Sequence, residues 1–119
     1  MGDELKIGII VIGYNIENYL ENCLESIKRQ NYSNFEVVFV DDGSKDNTFL
    51  IAEKYVHDDE RFKAFKKQNG GIISARKYGL ERTNCEYVMF VDGDDWLNEN
   101  MLNSFAKELL LYSRADIVS

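Results

Sequence analysis

Ile7-Gly8-Ile9-Ile10-Val11-Ile12 carries no polar side chain at any position. Such a run has no face to give to water, so it reads as a strand covered on both sides, the mark of a parallel sheet layered between helices. Phe35–Val40, a short Phe62–Phe65 and Tyr87–Val91 read as further strands. Helical spacing separates them. Leu20, Cys23, Leu24 and Ile27 share one face, with Glu21, Glu25 and Lys28 opposite, and Asn15 or Asn18 is positioned to cap. Asp46 or Asn47 starts a second helix that carries Ile51, Ala52, Tyr55 and Val56 inward. A third runs from about Ile73 to Arg82, and Met101, Leu102, Phe105, Leu109 and Tyr112 form the inner face of a last one. Ala115-Asp116-Ile117-Val118 reads as the start of another strand. Alternating strands and helices imply an α/β fold, a Rossmann-like parallel sheet with helices on both faces.

The length of 119 residues suits one domain. Acidic residues number 21 against 14 basic ones, a formal charge of −7. That balance excludes nucleic acid as the expected partner and disfavours docking on an anionic membrane. No segment is long and apolar enough to span a bilayer, and Ile7–Ile12 is too short for a signal peptide, so a cytoplasmic location is the default expectation. Cys23 and Cys85 lack metal-ligand spacing, and Cys23 on an apolar helical face reads as buried and reduced. His57 is the single histidine and lies in a polar stretch, which leaves little scope for Ser-His-Asp catalysis.

The strand ends carry the chemistry. Tyr87–Phe90 runs directly into Val91-Asp92-Gly93-Asp94-Asp95. Carboxylates crowded at a strand tip are costly to desolvate unpaired, and a divalent cation is their natural partner. A solvated acidic turn is the alternative. Gly93 lets the backbone turn sharply or a ligand approach. The first strand ends in Gly13-Tyr14-Asn15 and the second in Asp41-Asp42-Gly43-Ser44. In a parallel sheet these tips meet at one edge, where ligands bind. Asp42 can accept from the ring N–H of a pyrimidine, and Tyr14 offers a flat face to the base. Tyr14 could instead be a core aromatic, and one of Asp41 and Asp42 a turn or capping residue. Asn69-Gly70-Gly71 opens a helix, where backbone amides favour anions. Arg76, one turn in, could reach a phosphate or ribose, or be an ordinary surface arginine. Neither a P-loop nor a Gly-x-Gly-x-x-Gly loop is present. These parts describe a nucleoside-diphosphate site with a metal.

The blocks Ile9–Asn15 with Glu17 and Tyr19-Leu20, Cys23–Ile27 with Gln30 and Tyr32, Phe35–Ser44 with Asp46-Asn47-Thr48, Gln68–Gly71 with Ser74–Leu80, and Glu86–Asp95 resemble a family 2 glycosyltransferase of the GT-A fold over nearly the whole chain. The resemblance implies that Tyr14 and Asp42 hold the nucleobase, with Asp41 and Glu17 nearby. It implies that Asp92 and Gly93 face the ribose or sugar, that Asp94 ligates Mn2+ or Mg2+, and that Gly70, Gly71 and Arg76 border the diphosphate and sugar. The donor would be a nucleotide-sugar, most often a UDP-sugar. Transfer would invert the anomeric centre by direct attack of a hydroxyl on a glycan, lipid or protein acceptor.

Many family members have a proline where this chain has Ile12. Family domains are also considerably longer, and their second half supplies the acceptor surface and the general base. Residues 1–119 are therefore expected to be the nucleotide-sugar-binding half of a truncated GT-A domain, inactive alone, from an enzyme that acts in the cytoplasm or at the cytoplasmic face of a membrane. A Mg2+-binding receiver domain is the rival from another class, but its acidic pair should follow the first strand. A non-catalytic nucleotide-binding module is the other alternative.

Overall fold

The structure is a computed structural model that describes the backbone of residues 5–118 and the side chains of residues 5–109. Strands and helices alternate as β1 (Ile7–Gly13), α1 (Leu20–Lys28), β2 (Phe35–Asp41), α2 (Thr48–Asp58), β3 (Phe62–Lys66), α3 (Ile72–Leu80), β4 (Tyr87–Asp92) and α4 (Met101–Val118). The sheet is parallel in the order β3-β2-β1-β4. The strand order therefore reverses at β1, and a crevice opens between the carboxyl ends of β1 and β4.

Alternation along each strand divides its side chains between two helical layers. Ile7, Ile9 and Val11 of β1, with Val37 and Phe39 of β2, pack with Leu20, Leu24 and Ile27 of α1, Ala52 and Tyr55 of α2, and Leu102 and Ala106 of α4. On the other face Val38 and Val40 meet Ala75 of α3, flanked by Ile12, Phe65 and Tyr78. Both faces are covered, which is why the strand sequences lack a polar side. α3 lies so close to the sheet that a Cβ on Gly79 would fall 2.5 Å from Ile10 Cγ2.

Several local expectations need correction. All four strands run one residue further than their apolar cores, because the parallel ladder continues through the pairs Gly13 with Asp41, Ile12 with Asp92 and Asp41 with Lys66. Neither Asn15 nor Asn18 caps α1; Tyr19 takes that position without a side-chain bond. Asn15 instead adopts a left-handed φ of 52° and accepts from the Lys45 amide. At α2, Asn47 holds the cap position, but Asp46 Oδ1 accepts from the Thr48 amide. Val56 is exposed, because α2 meets the core through the narrower stripe of Ala52 and Tyr55. Backbone α4 continues through Val118, where the sequence suggested a strand from Ala115. A helix closes its own hydrogen bonds, whereas a strand needs a neighbour to pair with. The side chain of Tyr112 lies outside the described residues.

Candidate functional site

The loops after β1 and β2 are laced together. Asn15 N donates to Ser44 Oγ at 2.8 Å, and Ile16 N to Thr48 Oγ1 at 2.9 Å. Glu17 Oε2 accepts from Asn47 N at 3.2 Å, and Glu17 N donates to Asp46 Oδ2 at 3.3 Å. Glu17 is thereby a brace between the loops. The lacing holds Tyr14 at the rim of the sheet with 45% of its surface exposed, so its ring is free to meet a ligand. Asp41 is fully buried: Oδ1 accepts from Ser44 N at 2.9 Å, and Oδ2 has no hydrogen-bond partner. This is the turn-forming aspartate of the pair.

Asp42 projects to the opposite face. Its Oδ1 accepts from Lys67 Nζ at 3.1 Å and Gly70 N at 3.0 Å, and its Oδ2 from Gly71 N at 3.0 Å. Burial pushes the Asp42 pKa up, but the Gly70 amide, the Lys67 ammonium and the Gly71 amide together hold it below the usual value. Gly71 reaches this geometry at φ 93°, where a Cβ would be strained though nothing would obstruct it. The amides of Gly70 and Gly71 thus serve Asp42. A carboxylate offers about four acceptor positions. The bonds above leave one, on Oδ2.

Tyr14, Asp42, Asp92 and Asp94 line a single cleft of about 270 Å³, together with Gly13 and Ile72. It lies at the crevice between β1 and β4 that the topology creates. Gly93 donates its amide to Ile12 O at 2.8 Å, and a Cβ there would come 2.4 Å from Ile16 Cδ1. The missing side chain therefore makes room for the β1–α1 loop. Arg76 faces a second cleft of about 440 Å³, which Asp92 also lines. Its guanidinium stacks 5.3 Å from the centroid of Phe90.

Asp92, Asp94 and Asp95 each present an exposed carboxylate oxygen within 4.8 Å of the others. Their field reaches the buried Cys23, whose Sγ lies 3.8 Å from Asp92 O. Burial first, then Asp95, Asp94 and Asp92, push that thiol up to about 12. Exposed oxygen donors at this spacing, with no lysine or arginine paired to them among the described residues, fit a hard divalent cation.

Sequence patterns did not identify Lys67 as the partner of Asp42, because their pairing crosses from β2 to the segment after β3. Nor did they separate Arg76 from the Tyr14 cleft. Ser44 and Thr48 stood in the quoted blocks, but their role as acceptors for the neighbouring loop needs the fold.

The family model described as glycosyl transferase family 2 matches residues 8–118. Glycosyltransferase GlyA of Streptococcus pneumoniae is 41% identical over 112 residues, which cover 94% of this chain and 16% of that protein. The crystal structure of Staphylococcus aureus TarS 1–349 in complex with UDP-GlcNAc aligns with a TM-score of 0.78 at 37% identity, covering 87% of this chain and 30% of that one. The mannosyltransferase PcManGT of Pyrobaculum calidifontis, in complex with GDP-Man and Mn2+, aligns with a TM-score of 0.70 at 25% identity, covering 81% and 30%. The chain thus spans less than a third of each of these relatives. The match sets aside the receiver-domain reading, and the exposed Asp92 and Asp94, either side of the buried Gly93, fit an Asp-x-Asp motif. With a parallel α/β sheet of the GT-A type and a family match over most of its length, the chain belongs to glycosyl transferase family 2.

Proposed function

We propose that this chain is the donor-binding half of a glycosyltransferase and holds a nucleotide-sugar, a UDP-sugar above all, by a metal-dependent Asp-x-Asp motif. The observation that carries the reading is the meeting of Tyr14, Asp42, Asp92 and Asp94 in one cleft at the strand-order reversal. Tyr14 lies against the base, and the remaining acceptor position of Asp42 Oδ2 takes the base N–H. Glu17 and Asp41 act at one remove, by bracing the loops that carry Tyr14 and Asp42.

Asp94 is the primary metal ligand, with Asp92 facing the ribose or sugar and Asp95 completing the acidic rim. Mn2+ or Mg2+ bound there would neutralise charge on the leaving diphosphate. Arg76, beyond Asp92, borders the sugar end of the donor. UDP-GlcNAc in the TarS complex and Mn2+ with GDP-Man in the PcManGT complex support the donor class and the cation. In the longer enzyme the sugar passes with inversion to an acceptor hydroxyl. The general base is assigned to no residue of this chain, because Asp42 is held by Lys67 and two amides, Asp41 is buried, Glu17 braces the loops, and Asp92, Asp94 and Asp95 are given to the sugar and the cation.

Calorimetric titration with UDP, with and without Mn2+, tests the proposal. Saturable binding that disappears on chelation is expected. Absence of UDP binding in the presence of Mn2+, or binding indifferent to metal, would overturn it.

A further inference from the structure

Trp96 follows the acidic cluster directly and is 70% exposed, the most exposed aromatic among the described residues. The three residues that follow it are tied to α1 and the turn after it. Leu97 N donates to Ser26 Oγ at 2.9 Å, Gln30 Nε2 donates to Asn98 O at 2.6 Å, and Asn31 N donates to Glu99 O at 2.9 Å. Gln30 Oε1 then accepts from Leu102 N at 3.0 Å. A segment pinned to α1 therefore presents an indole to water.

A cleft of about 570 Å³ opens beside that indole, between α1 and residues 96–99. Asn22 and Glu99 line it with exposed amide and carboxylate groups, and Arg29, whose Nε lies 3.6 Å from Glu25 Oε1 on the same cleft, adds the outer nitrogens of its guanidinium. Trp96 also lines the smaller cleft that holds Asp92 and Asp95, so one residue borders both. A broad apolar face ringed by donors and acceptors matches a pyranose, which has C–H bonds on one face and hydroxyls around its rim. The electron-rich face of the indole attracts those C–H bonds, and the polar side chains take the hydroxyls. A partner helix would instead require an apolar rim.

We propose that Trp96 is the stacking platform of a saccharide subsite, distinct from the nucleotide cleft, in which Asn22, Arg29 and Glu99 bond the hydroxyls of the sugar. Beside the donor site proposed above, it would seat a sugar residue of the acceptor. The subsite requires neither nucleotide nor metal, so its failure and the failure of the donor site are separable.

Trp96 is the single tryptophan, so intrinsic emission reports on it alone. The chain is titrated with maltotriose, mannotriose and triacetylchitotriose in the presence of a chelator, with sorbitol as the open-chain control. A saturable millimolar response to at least one trisaccharide and none to sorbitol is expected. Saturation transfer from protein to the same sugar should be lost in Trp96→Ala and persist in Trp96→Tyr, which keeps an aromatic face. No response to any trisaccharide overturns the proposal, as does unchanged transfer in Trp96→Ala. An emission change that follows protein concentration instead of sugar also overturns it, since the ring would then be a contact between copies.

Discussion

Lys67 Nζ lies 3.1 Å from Asp42 Oδ1, with the two side chains 13% and 7% exposed. This pair fastens the loop before α3 to the tip of β2 and holds Asp42 in the cleft that Tyr14, Asp92 and Asp94 also line. Replacing Lys67 with Met leaves a buried carboxylate with its ammonium gone, but the Gly70 and Gly71 amides remain. A loss of about 2 kcal/mol is expected, below the full cost of orphaning a buried charge. Urea denaturation at neutral pH measures it.

Asp42 also makes folding sensitive to acid. Its native pKa lies below the unfolded value, so ionised Asp42 stabilises the fold at pH above about 4. That contribution falls as pH drops through the lowered native value, where the folded state must also take up the proton. In Asp42→Asn the contribution is absent at every pH. The stability difference between the two proteins should be constant near neutrality and shrink in acid. Asp46 and Asp59 are also held low and occur in both proteins, so they cancel from the difference. A difference that grows in acid would contradict this assignment.

Asp94 is exposed, so Asp94→Ala should leave the fold intact, with stability changed by about 0.5 kcal/mol or less. Metal-dependent UDP binding should disappear. Calorimetry with Mn2+ reads the binding, and denaturation reads the fold. Retained metal dependence would remove Asp94 from the site.

Tyr14 is predicted to act through its ring and not its hydroxyl. Stacking on a base is worth about 1–3 kcal/mol, so Tyr14→Ala should weaken UDP about tenfold or more, and Tyr14→Phe should bind nearly as well as the parent. Equal losses in the two variants would point to the hydroxyl.

Gly79 separates helix propensity from packing. In an exposed helix, alanine in place of glycine stabilises by about 1 kcal/mol. Here the new Cβ would lie 2.5 Å from Ile10 Cγ2 and 3.3 Å from Val40 Cγ2, so α3 must move off the sheet. Gly79→Ala should destabilise by about 1–3 kcal/mol, the usual cost of overpacking. A higher Tm in the variant would mean that α3 lifts without cost.

The alternation of elements was legible because burial on two faces leaves a one-dimensional trace: Ile7–Ile12 has no polar side. The acidic tip of β4 was legible for the converse reason, since carboxylates beside a buried strand need a partner. Less visible were features set by contacts between distant residues. Asn15 looked like a cap, yet it serves Lys45 across a loop. Gly70 and Gly71 looked like a cradle for phosphate, yet their amides hold Asp42. The end of α4 looked like a strand because Ile117 and Val118 favour one locally, but backbone pairing depends on what lies alongside.

Sequence by itself determined the α/β class, the order of elements and the residue types at each strand tip, because periodicity and desolvation act along the chain. Tertiary structure alone decided that Tyr14, Asp42, Asp92 and Asp94 share one cleft, that Arg76 turns toward another, and that Lys67 pairs with Asp42. Those outcomes depend on strand order and loop-to-loop hydrogen bonds, which bring together groups far apart in sequence and therefore leave no periodic signal.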